Sequence, residues 1–165
     1  MKWIGPLFTN AGGWEAYVSY HDGKWFIDKE TPIVIEGTET GVRILPMLQE
    51  EYGKGYEAQL KILKKGLLKN GQNMEAAESF PFHTPIITAF ENMPGWVSYA
   101  SEWVKHIKLN MEIAQFLFDK CQNKNLDQSA RQKTLKIVNK WAKNNGFVFL
   151  RQKALTSKST QTKNP

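Results

Sequence analysis

The chain predicts an α+β fold: an N-terminal antiparallel β-meander of about three strands, packed against roughly three to five helices, with one short late strand. Three observations carry this. Aromatic and β-branched residues gather around a tight-turn dipeptide within residues 14–36. From Tyr56 onward the apolar spacing changes to steps of three and four, the period of an amphipathic helix. Near the end, Phe147-Val148-Phe149-Leu150 is an apolar run that reads as a buried strand.

The first two strands are read at Trp14–Tyr20 and Lys24–Asp28, joined by His21-Asp22-Gly23. Asp-Gly accepts the positive φ angles that a tight hairpin demands. Pro32–Glu36 follows as a third strand, its proline at the first position, where a missing N–H is tolerated. Gly37-Thr38-Glu39-Thr40-Gly41 reads as the loop that closes the meander. Gln49–Tyr52 reads as a separate helical turn, because Gly53 and Gly55 break continuity. Tyr56, Leu60, Leu63 and Leu67 form the stripe of the next helix, which stops at Asn70-Gly71. A brief helix is expected with Thr84 as N-cap and Pro85 at its first position. Ala100, Trp103, Ile107, Met111, Ala114, Leu117 and Cys121 extend one pattern from Trp96 to Cys121, read as a single long helix. Asp127 caps a last helix that runs to about Asn144. Residues 1–155 read as one domain, and 156–165, dominated by Ser, Thr, Lys, Gln and Asn with no apolar side chain of a core, as a disordered basic tail.

Composition narrows the classes of function. With 41% apolar and 23% charged residues, the chain falls among soluble globular proteins. A lone cysteine, Cys121, excludes an internal disulfide framework and suits a reducing compartment, so a cytoplasmic location is expected. Trp3–Phe8 is too short and too interrupted for a secretory signal, and no apolar run suffices to span a bilayer, so no membrane partner is expected.

Charge is the strongest functional signal. Residues 1–102 carry nine Lys/Arg against thirteen Asp/Glu, whereas residues 103–165 carry thirteen against three. From Gln128 onward there are nine basic side chains and no acidic one. Projected at about 100° per residue, Ala130, Thr134, Ile137, Val138, Trp141 and Ala142 gather on one side of the last helix. Lys133, Lys136, Lys140 and Lys143 gather within about 80° on the other. Arg151 and Lys153 continue the basic character. Such a surface suits nucleic-acid phosphates, DNA or RNA, with weak sequence specificity: lysine is a point charge, and bidentate base reading favours arginine. The same pattern also serves simple solubility.

A second hypothesis, a protein-interaction module, rests on exposed rings of the N-terminal hairpin. Tyr17, Tyr20 and Trp25 are its candidate docking residues, because interfaces favour such side chains. Catalytic and metal signatures are weak. His21, His83 and His106 are isolated in sequence, and Glu102/His106 is a lone i, i+4 pair. Gly53-Lys54-Gly55 lacks the longer pattern of a phosphate-binding loop and reads as a hinge. The expectation is a non-enzymatic protein with no cofactor, no bound metal and no catalytic residue.

Overall fold

The computed structural model describes residues 1–151. Four short strands, β1 (Trp3–Ile4), β2 (Val18–His21), β3 (Lys24–Ile27) and β4 (Ile33–Val34), form one antiparallel sheet in the order β1-β2-β3-β4. The hairpin turn is built as its residues dictate, with Asp22 at φ 49° and Gly23 at φ 76°. That pair of positive angles matches the right-handed twist of the flanking strands. Tyr20 pairs with Trp25 and Val18 with Ile27 across β2 and β3. β1 is an edge strand that the aromatic pattern does not announce; Trp3 pairs with Ser19 and Ile4 with Val18.

The helices are α1 (Gly37–Ile44), α2 (Glu50–Gly53), α3 (Tyr56–Lys69), α4 (His83–Asn92), α5 (Val97–Trp103), α6 (Met111–Lys120) and α7 (Gln128–Asn144). Short 3₁₀ turns at Leu45–Leu48, Met74–Ser79, Pro94–Trp96 and Val104–His106 join them. One hydrophobic core links sheet and helices. It runs from Ile4, Val18 and Ile27 through Leu63 and Leu67 to Leu117 and Val138. Each such side chain, fully removed from water, contributes about 1.5–3 kcal/mol before conformational entropy is counted.

Four local expectations are corrected. Residues 37–41 are not a loop but the start of α1. The Thr40 hydroxyl donates to the Glu36 carbonyl at 2.7 Å and accepts from the Glu36 N–H at 2.8 Å, closing the helix entry. Gly41 then lets α1 lie on α4, since a Cβ there would run into the Thr88 hydroxyl. The brief helix begins at His83 rather than being capped by Thr84. Phe82, anchored in the core beside Phe80, sets that start, and Thr84 is buried within the first turn.

The long helix expected at Trp96–Cys121 is two helices, α5 and α6, which break around Ile107–Asn110. Asn110 forces the restart, because its side chain caps the Ile113 N–H at 2.8 Å. Met111, expected in the stripe, is 64% exposed at the first turn of α6. The helices therefore number seven rather than three to five among the described residues, because the expected long helix is divided and the expected loop at 37–41 begins α1.

The late strand at Phe147–Leu150 does not form. The segment alternates in burial, with Phe147 and Phe149 half-buried and Val148 and Leu150 exposed. Its neighbour is a helix, not a strand. The Gln115 amide of α6 donates to the Leu150 carbonyl and accepts from the Leu150 N–H, both at 2.9 Å. A side-chain amide thus satisfies the groups a sheet partner would have met. The tail expected at 156–165 lies outside the described residues.

Candidate nucleic-acid interface

Helix α7 starts where Asp127 accepts from the Ala130 N–H at 2.8 Å, a cap whose loss costs about 1 kcal/mol. It ends at Asn145-Gly146, where Gly146 adopts φ 62° and the Phe147 N–H reaches back to the Ala142 carbonyl at 2.9 Å. That bond and the glycine are the elements of a Schellman turn. Ala130, Thr134, Val138 and Ala142 recur at four-residue steps and are buried. Their small size lets α7 pack closely on α5 and α6.

The outer face carries Ser129, Gln132, Lys133, Lys136, Asn139, Lys140, Lys143 and Asn144, all exposed. No carboxylate belongs to it. From Lys133 to Lys143 the row extends about 15 Å along the axis at the ordinary helical rise. One of the four lysines is neutralised from another helix: the Lys133 ammonium pairs with Glu102 of α5. Among the described residues, Lys136, Lys140 and Lys143 join no ion pair. Arg151 is exposed, beyond the segment docked on α6, and Lys153 lies outside the described residues. Arg131 is half-buried off the lysine face, with its guanidinium turned toward the Cys121 carbonyl.

The hairpin rings occupy other positions. Trp25 is 3% exposed, its indole N–H donating to the Ser79 hydroxyl at 3.1 Å and its ring set between Tyr20 and Phe80. It is a core residue and does not present the surface that docking requires. Tyr20 is half-buried against it. Tyr17 is half-buried too, with the Lys29 ammonium 3.3 Å from its ring centroid. The imperfect alternation of Tyr17-Val18-Ser19-Tyr20 left the inward ring unreadable, because the burial of Trp25 comes from Phe80 and Ser79, far along the chain.

The histidines are partly brought together. His83 and His106, distant in sequence, both border a cleft of about 380 Å³ beside Tyr56 and Glu78. The His106 and Tyr56 rings stack at 4.5 Å, 6° from parallel. Burial lowers the pKa of His83. Burial and then the Lys105 charge lower that of His106, with Glu57 opposing. Ser79 in the same cleft donates to the Ala76 carbonyl at 2.7 Å and accepts from Trp25, a structural use of its hydroxyl. Glu102 is drawn to Lys133 and α5 ends at Trp103, so the i, i+4 pairing with His106 is not made on one α-helix. Among the described residues, no group of three His, Cys, Asp or Glu side chains is placed to hold a metal ion. Nor is any helix there long and apolar enough to cross a membrane. Lys54 is the left-handed residue between α2 and α3, its ammonium donating to the Glu51 carbonyl at 2.9 Å, so the glycine-flanked lysine serves a helix junction.

Comparison with protein-family models, with curated proteins and with solved structures finds no match for this chain.

Proposed function

We propose that this protein associates with nucleic acid through the lysine face of α7, chiefly by contact with the phosphate backbone. One observation carries the proposal: an exposed helix face with lysines and uncharged amides, no carboxylate, and three ammonium groups without an ion-pair partner among the described residues. Ammonium groups held side by side repel one another, and phosphates relieve that repulsion while releasing condensed counterions. Asn, Gln and Ser side chains between the lysines supply further hydrogen bonds to phosphate and sugar. No arginine lies on this face, so binding is weakly sequence-specific. The role is non-enzymatic and uses no cofactor. Its setting is a reducing one such as the cytoplasm, in keeping with a buried free thiol at Cys121.

The test is an anisotropy titration of labelled DNA and RNA with the full chain and with a variant carrying Lys136→Glu, Lys140→Glu and Lys143→Glu. Binding by the parent, lost at least tenfold in the variant with an unchanged melting temperature, supports the proposal. A variant that binds as the parent does, or a parent that binds neither probe, overturns it and leaves the face a solubilising one.

A further inference from the structure

We infer that the α7 surface takes single-stranded rather than duplex nucleic acid, an inference that rests on the nucleic-acid role proposed above. The observation is an aromatic seam that begins where the lysine row ends. The turn at Gly146 brings the Phe147 ring to 5.7 Å from Trp141. Phe149 follows at 5.4 Å from Phe147, edge to face, and lies parallel to Phe118 at 4.3 Å. Trp141, Phe147, Phe149 and Phe118 are all half-buried, so the seam meets solvent along its length. Beside it Val148 is 83% and Leu150 77% exposed, and Arg151 closes the far end.

Charge selects an anionic occupant, and the rings decide which one. Single strands are held by a basic track that follows the backbone and by aromatic rings on which unpaired bases stack. In a duplex the bases are already stacked on each other, so only the lysine row is of use to it. Geometry weighs against a lipid surface. Trp141 lies about 120° round α7 from the centre of the lysine arc, so a flat bilayer meets one of the two features and not both. A single strand turns at every nucleotide and follows the lysines round the end of the helix onto Phe147.

The experiment compares a short labelled oligothymidylate with a labelled duplex of equal length, using the full chain, Phe147→Ala and Phe147→Leu. Leucine keeps the apolar packing and removes the π face, and a thermal melt checks that each variant is folded. Both variants are expected to bind oligothymidylate about tenfold more weakly, the lower range for one lost stacking contact, and to bind the duplex within about twofold of the parent. Equal effects on both probes, or none on either, overturn the single-strand inference while leaving backbone binding intact. Binding of neither probe by the parent overturns both. Sedimentation of the protein with phosphatidylserine vesicles, abolished by Val148→Ser and Leu150→Ser, would assign the surface to lipid and overturn it as well.

Discussion

Cys121 shows how strongly position governs a residue's chemistry here. Burial pushes its thiol up to about 11, against the smaller opposing effects of Arg131 and Thr134. The thiolate is the reactive form, so Cys121 is expected to resist a thiol reagent at pH 8 in the folded protein and to react at once in denaturant; rapid labelling of the native chain would contradict this. The half-buried imidazoles behave differently. His83 and His106 have folded pKa values below the ordinary one, chiefly because burial disfavours their charged form. The unfolded chain therefore binds protons first, as pH falls below about 6.5, and stability declines from there toward the lowered folded values. Asp28 has its own window at more acid pH. Burial alone would raise its pKa, but the N–H groups of Glu30 and Thr31 and the Arg43 guanidinium outweigh burial and lower it. A melting temperature lower at pH 5.5 than at pH 7, with the decline reduced in His83→Gln/His106→Gln, is the expected result. Gly41 offers a third check. Gly41→Ala forces a methyl against Thr88 where α1 rests on α4, which is expected to cost about 2 kcal/mol and lower the melting temperature by roughly 6 °C.

At the scale of elements, legibility followed local chemistry. The hairpin, the end of α3 and both ends of α7 were readable because Asp22-Gly23, Asn70-Gly71, Asp127 and Asn145-Gly146 act on their own neighbours. What failed depended on partners distant in sequence. α1 rests on α4 where Gly41 meets Thr88, and β1 has no identity apart from β2. The break between α5 and α6 was readable in principle from Asn110, but the apolar steps on either side remain in register and concealed it. Phe147–Leu150 has a strand's alternation without a strand's partner, since Gln115 took that place. Gln115→Ala is accordingly expected to expose the Leu150 amide, raising its hydrogen-exchange rate by at least tenfold while leaving the amides of α7 protected. Unchanged protection at Leu150 would mean that the ring contacts alone hold the segment.

For the molecule as a whole, the division of charge is functional only if the folded chain keeps its basic end from its own acids. It does so incompletely. Glu102 crosses from α5 to Lys133, and nothing in the sequence pattern of α7 foretold that, because the two residues lie on separate helices. The remaining three lysines, Lys136, Lys140 and Lys143, form the exposed row on which the proposed function rests. Likewise Trp25 took part in the core through Ser79 and Phe80, a contact made across more than fifty residues of chain. The most direct test is the salt dependence of nucleic-acid binding, measured for the parent and for Lys136→Gln/Lys140→Gln/Lys143→Gln. Three phosphate contacts correspond to a log–log slope contribution of about −2.7 on duplex DNA and about −2.1 on a single strand. The triple variant is expected to bind more weakly and to lose that much of the slope. An identical slope in parent and variant would show that these lysines meet no phosphate, and the proposed interface would not stand.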